Sequence, residues 1–176
     1  PPDGSQFVMR LRRIIVPIRS QGDIFQAAPR VQLAIAFGHV GFSQMKLRWD
    51  EFIEGLPELS CVCDPFTEFS DRPIEWSHGR WLMFFGEEEN HGMTDNQLTA
   101  SLNNACSWAT KHNIRSIATN GIANIDHNGD PANNRRSDEQ RAEWLVEYAT
   151  QVERTYGISI ELISLNDVFT RATNDA

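Results

Sequence analysis

Ile114 to Arg136 reads IRSIATNGIANIDHNGDPANNRR, and this stretch decides the fold. An apolar strand, Ile114 to Thr119, runs directly into a loop of Asn, Gly, Asp and His, and a helix follows. A packed core has no use for so many polar and turn residues between a strand and a helix. In open α/β sheets, ligands sit in the crevice beyond the carboxyl ends of the strands, where such loops emerge. The loop is therefore the first candidate for function.

The segments around it extend the same pattern. Arg12–Arg19 reads as a first strand with Ser20–Asp23 as its polar exit, and Val31–Phe37 (VQLAIAF) as a strand buried on both faces. Gly38-His39-Val40-Gly41 follows as a loop. Ser43–Leu56 then places Met45, Trp49, Phe52, Ile53 and Leu56 at helical spacing, and Pro57 helps to end that helix. A short strand around Cys61 and a loop account for Leu59–Arg72. Arg80–Phe85 (RWLMFF) is a strand, and Gly86–Gly92 (GEEENHG) its acidic exit. Thr94-Asp95-Asn96-Gln97 and Ser137-Asp138-Glu139-Gln140 are capping-box patterns that start two more helices, and Gly157 stops the second. Ile158–Ile163 is the last main strand, with a short helix over Asn166–Thr173. Strand, helix, strand, helix, strand from Arg80 onward predicts parallel pairing through helical crossovers. The expected fold class is α/β: a single three-layer α/β/α domain over 1–176, with a mixed, mostly parallel sheet and with 1–11 and 170–176 as terminal extensions.

Composition narrows the partners. A net charge of −8 over 176 residues argues against a nucleic-acid backbone as the main partner, because phosphate contacts need clustered Lys and Arg. No apolar run is long enough to span a bilayer. Cys61, Cys63 and Cys106 form no framework, and an odd count suits a reducing intracellular setting, cytoplasmic or nuclear. A metal role for Cys61 and Cys63 needs further ligands nearby, and the two read as strand or loop residues.

Candidate chemistry gathers on the loops. Gly38 and Gly41, just before a helix, let the backbone approach a ligand and offer free amides to a phosphate. No Walker A or G-x-G-x-x-G sequence occurs, so no nucleotide cofactor is called for. Asp126 and His127 can serve as general base and orienting group or bind a divalent ion, or they and their Asn neighbours simply stabilise a turn. The D-x-N-x-D alternation from Asp126 is no calcium loop, since Ser137 stands where the bidentate Glu belongs. Glu87, Glu88 and Glu89 beside His91 read as a solvated loop unless one lies against the crevice wall. One of Phe42, Phe66, Phe69 or Trp76 is available to stack on a purine. Cys106 falls on the apolar face of its helix, and no G-x-S-x-G is present, so a Ser or Cys nucleophile finds no support.

The order of these features resembles the macro domains that bind ADP-ribose. Gln21-Gly22-Asp23-Ile24-Phe25 is similar to the Gly-Asp-Ile segment after that family's first strand. Val31–Phe37 with its Gly-containing loop is similar to the first ligand loop, and Thr94–Leu165 to the family's last half. Gly79-Arg80-Trp81 before a strand and acidic loop is similar to the small glycohydrolases that remove terminal ADP-ribose from proteins. The resemblance implies Asp23, with Ile24, as the adenine reader. It implies backbone amides of Gly38–Gly41 and of Asn120, Gly121, Ile122, Ala123, Asn124 and Ile125 around the diphosphate, with Phe42 beside them. Water activation falls to Asp126 or His127, with Glu88. The ligand class is then ADP-ribose or an ADP-ribosylated macromolecule, and no metal or cofactor is implied. The chain departs from the family pattern in three places. Gly38-His39-Val40-Gly41 replaces an Asn-Ala-Ala-Asn stretch and Gly triplet. Gly121-Ile122-Ala123-Asn124-Ile125 replaces a Gly-x-Gly loop, and Glu87 and Glu88 stand where the small glycohydrolases carry a reactive Lys. The expected function is removal of ADP-ribose from modified targets. A non-catalytic binding module is the alternative, and a metal-dependent phosphoesterase built on Asp126, His127 and His91 is a third reading.

Overall fold

The structure is a computed structural model that describes residues 17–39, 43–55, 72–87, 95–120 and 138–172. In chain order the elements are β1 (Ile18–Gln21), α1 (Ile24–Ala27), a 3-10 turn (Ala28–Arg30), β2 (Leu33–His39), α2 (Ser43–Glu54), β3 (Ile74–Ser77), β4 (Arg80–Glu87), α3 (Asp95–Lys111), β5 (Ser116–Thr119), α4 (Asp138–Tyr156), β6 (Ser159–Ser164) and α5 (Val168–Ala172). Among the described residues, six strands form one sheet in the order β1-β6-β5-β2-β4-β3. All neighbours pair in parallel except β3, which is antiparallel to β4. The fold class is α/β, as the alternation of strand and helix predicts.

The two faces of the sheet differ in side-chain size, and that difference sets the layers. On one face Leu33, Ile35 and Phe37 of β2, Ile117 of β5 and Ile160 and Leu162 of β6 pack against α3, α4 and α5. On the other face the centre of the sheet presents Ala34, Ala36 and Ala118. Small side chains there leave depth for aromatic rings, and α1 and α2 fill it. Phe25 meets Trp49 edge-on with ring centroids 5.4 Å apart, and Trp49 meets Trp76 edge-on at 5.0 Å. Such edge-to-face pairs add to the area that the rings bury.

Four differences from the sequence expectations have physical causes. β2 and β4 each run two residues further than expected, because Gly38 pairs with Gly86 and His39 with Glu87. Gly38 is thus strand rather than loop, and so are Gly86 and Glu87. β3 went unread: Ile74-Glu75-Trp76-Ser77 is only four residues, too short for an alternation to stand out, and it forms a hairpin with β4 through His78 and Gly79. Trp76, a stacking candidate for a purine, is instead fully buried in the aromatic cluster. The first strand is described from Ile18 to Gln21, so Ser20 and Gln21 belong to it rather than to its exit. The expected strand around Cys61 lies outside the described residues, as do the Thr94 and Ser137 caps. α4 stops as expected, at Gly157 with φ +68°.

The Trp76 indole nitrogen is buried without a hydrogen-bond partner among the described residues. Trp76→Ala is therefore expected to cost about 3–5 kcal/mol by urea denaturation. Trp76→Phe should cost far less, since it keeps a ring and removes the unpaired N–H. Equal losses for the two variants contradict this packing account.

Candidate functional site

Strand direction fixes where a site can form. All strands but β3 point the same way, so β1, β2, β5 and β6 present their carboxyl ends along one edge of the sheet. β2 and β5 are neighbours in that sheet, yet their crossovers part. The chain leaves β2 for α2 on the aromatic face and leaves β5 for α4 on the opposite face. Neighbouring strands whose connections diverge leave a cleft between their ends, which is the switch point where open α/β sheets bind ligands.

Asn120 braces the mouth of that cleft. It follows the last residue of β5 and is buried. Its Oδ1 accepts from the backbone N–H of Phe37 at 2.8 Å, and its Nδ2 donates to the Phe37 carbonyl at 3.3 Å. The side-chain amide continues the β5 ladder against β2 by one step beyond the strand itself. One donor and one lone pair of the amide are thereby engaged with β2. Beside it, the buried Thr119 hydroxyl has no hydrogen-bond partner among the described residues. Arg141, in the first turn of α4, is fully buried.

Asp23 stands further along the same edge, at the exit of β1. It caps α1: Oδ1 accepts from the Phe25 N–H at 3.0 Å, and the Asp23 N–H donates to Gln26 Oε1 at 3.0 Å. Gly22 makes that closure possible, because a Cβ there would stand 2.4 Å from Gln26 Oε1. Ile24 is buried with the aromatic cluster, which leaves its backbone as its offer to a ligand. Asp23 Oδ2 faces the guanidinium of Arg48, with Nη1 3.4 Å away. The two meet because Phe25 and Trp49 anchor α1 and α2 in one aromatic cluster. A cavity of about 260 Å³ opens beside them, lined by Asp23, Phe25, Gln26, Arg48, Glu51 and Phe52.

Behind this edge, Glu161 on β6 is only 4% exposed. Arg30 binds it with a fork, Nε to Oε1 at 2.9 Å and Nη2 to Oε2, and the Ser20 hydroxyl donates to Oε2 at 3.1 Å. The hydrogen bond to Glu161 raises the Arg30 guanidinium above its ordinary value. A buried carboxylate so fully paired ties β1, the 3-10 turn and β6 together. It acts as a structural brace rather than as a free base.

Of the residues expected from sequence, the structure places Asp23, Ile24, Gly38 and Asn120 along the carboxyl edge. Gly41, Phe42, Glu88, Gly121, Ile122, Ala123, Asn124, Ile125, Asp126 and His127 lie outside the described residues. Arg48 was missed. Its sequence signal is faint: it directly precedes Trp49, so it flanks the buried stripe of α2. Among the described residues, no group of three or more His, Cys, Asp or Glu side chains could hold a metal ion. No helix there is long and apolar enough to cross a membrane.

A larger cavity of about 480 Å³ lies between the C-terminal halves of α3 and α4, with Cys106, Tyr148 and Lys111 in its lining. Both helices run back against the strands, so this cavity sits at the amino edge of the sheet, away from the cleft. Burial pushes the Cys106 thiol up, although Tyr148 partly offsets it, and burial also raises the Tyr148 hydroxyl. That hydroxyl donates to Asn103 Oδ1 at 2.9 Å and lies 3.6 Å from the Cys106 sulfur.

Among solved structures, the chain is similar to the macrodomain of Thermus aquaticus DarG. The match covers 85% of this chain and 97% of that one, at 11% identity and a TM-score of 0.42. It also matches two structures of YqhD from E. coli. One covers 68% of this chain and 29% of that one, at 15% identity and a TM-score of 0.27. The other, described as an aldehyde reductase free of substrate and cofactor, covers 86% and 44%, at 11% identity and a TM-score of 0.29. No protein-family model matches the chain, and no curated protein matches it in sequence. Superpositions this loose assign neither a family nor a ligand, and the cleft stands on the strand order alone.

Two outcomes check this geometry. Asn120→Leu leaves the buried Phe37 N–H and carbonyl unpaired and should cost about 1–3 kcal/mol by denaturant unfolding; an unchanged midpoint contradicts the brace. With Cys61 and Cys63 replaced by Ser, Cys106 should alkylate slowly in native protein at pH 8 and rapidly in denaturant. Because its folded pKa is raised, its contribution to stability is complete below the ordinary thiol value of about 8.5 and is lost as pH rises. Fast native labelling contradicts the burial.

Proposed function

We propose that the chain binds an ADP-ribose-type ligand along the carboxyl edge of its sheet and hydrolyses it from modified targets. The observation that carries the reading is the parting of the β2 and β5 crossovers, with Asp23 on the same edge. β1 lies about two and a half strand spacings from the β5–β2 boundary, roughly 12 Å. An elongated nucleotide can place a base at Asp23 and its diphosphate at the cleft. The resemblance of Gly22-Asp23-Ile24 to a base-reading segment supports the same orientation. Backbone amides at Gly38–Gly41 and Gly121–Ile125 hold the diphosphate in this reading. Asp126 or His127, with Glu88, activates water at the distal ribose.

Glu87 and Glu88, where a reactive Lys would stand in the small glycohydrolases, favour a second reading in which the cleft binds without turnover. Calorimetric titration with ADP-ribose tests the shared part: saturable binding is expected, and no heat at millimolar ligand overturns both readings. ADP-ribosylated protein then separates them. The hydrolase reading expects release by the wild type and a loss of about 10²–10⁴-fold in an Asp126→Ala, His127→Ala double variant. Equal activity in the two removes the catalytic assignment, and binding without release supports the module.

A further inference from the structure

We propose that Arg48 is a specificity-determining residue that, together with Asp23, reads the order of donor and acceptor on the edge of a seated heterocycle. The inference rests on the proposed reading that Asp23 seats the base, and it adds a residue that the resemblance does not supply.

Three observations carry it. Asp23 Oδ1 is held by the Phe25 N–H, so Oδ2 is the oxygen left toward the cavity, and the Arg48 guanidinium faces it at a long 3.4 Å. A carboxylate oxygen and a guanidinium thus stand side by side, presenting one acceptor next to one set of donors. The Arg48 side chain is 39% exposed and its buried Nε–H has no hydrogen-bond partner among the described residues, so the long contact to Asp23 leaves the guanidinium room to turn. Finally, the cavity they line is about 260 Å³, below the ~300 Å³ at which pockets for whole drug-sized ligands begin. It has room for one ring system, and Phe25 and Phe52 supply apolar walls for it.

Asp23 can only accept, while Arg48 can only donate. A 6-aminopurine matches that order: its exocyclic N–H₂ faces Oδ2, and a turn of the guanidinium brings a donor to the neighbouring ring nitrogen. A 6-oxopurine reverses the order. Its carbonyl meets the carboxylate, and its ring N–H meets the guanidinium. Sites built on buried hydrogen bonds reject such mismatches strongly, because both partners are left unpaired.

The test is calorimetric titration of the intact chain with ADP-ribose and with its hypoxanthine counterpart, in wild type and Arg48→Met, with Arg48→Lys as the conservative variant. Wild type is expected to prefer the adenine ligand by about tenfold or more. Arg48→Met should weaken the adenine ligand and collapse the preference toward unity, and Arg48→Lys should restore part of it. A purely structural role for Arg48 would weaken both ligands equally and leave their ratio unchanged, which overturns the proposal. Wild-type binding with unaltered Arg48→Met affinity also overturns it while leaving the proposed function standing. Absence of any wild-type binding overturns the proposed function itself, and this seat falls with it.

Discussion

The pair of hydrogen bonds between the Asn120 amide and the Phe37 backbone is the constraint on which the site depends. β5 contributes only Ser116–Thr119 to the ladder, and its register with β2 spans three residue pairs, Leu33 to Ile35 against Ile117 to Thr119. Beyond that, β2 continues for four residues along β4, and nothing in β5 itself remains to hold it. Asn120 supplies the missing rung. A side-chain amide carries a donor and an acceptor in one plane, as a peptide does, so it can pair both groups of one backbone residue. The two strands are thereby held together up to the point where their crossovers leave for opposite faces.

The second constraint is the asymmetry of the sheet. Ala34, Ala36 and Ala118 make the centre of one face shallow, and Phe25, Trp49 and Trp76 descend into it. Interiors pack at crystal-like density, so Phe25 and Trp49 fix the helices that bear them against Trp76 of β3. Asp23 lies two residues before Phe25, and Arg48 one before Trp49. Their juxtaposition is a consequence of core packing, which is why a polar pair at the rim can be held without a deep polar network. On the same face, the Arg30–Glu161 fork fixes β6 against the 3-10 turn. It keeps the β1 exit, and hence Asp23, in line with the rest of the edge.

Much of the fold was legible because its signals are local and repeated. Val31–Phe37 and Arg80–Phe85 are the near-continuous apolar runs expected of strands buried on both faces, and α3 and α4 carry full-length apolar stripes ending at Lys111 and Gly157. β3 was not legible, since four residues hold too few alternations to separate a strand from a loop. The extension of β2 through Gly38 and His39 was hidden for another reason: a glycine after an apolar run reads as a turn, and only the partner strand shows that pairing continues. Among the candidate residues, Asp23 stood out through its Gly-Asp-Ile context. Arg48 did not, because its contact with Asp23 joins helices that are separate in sequence. Trp76 illustrates the converse. An aromatic beside polar residues looked available for stacking, but tertiary packing placed it in the core.

In the proposed reading, one ligand lies along the carboxyl edge, from the β1 exit to the β2–β5 cleft. A crystal structure of the chain with bound ADP-ribose tests this most directly. The base is expected in the cavity between Asp23 and Arg48, and the diphosphate over the ends of β2 and β5, beside Asn120. Ligand density in the groove between α3 and α4, or with the base remote from Asp23, would contradict it.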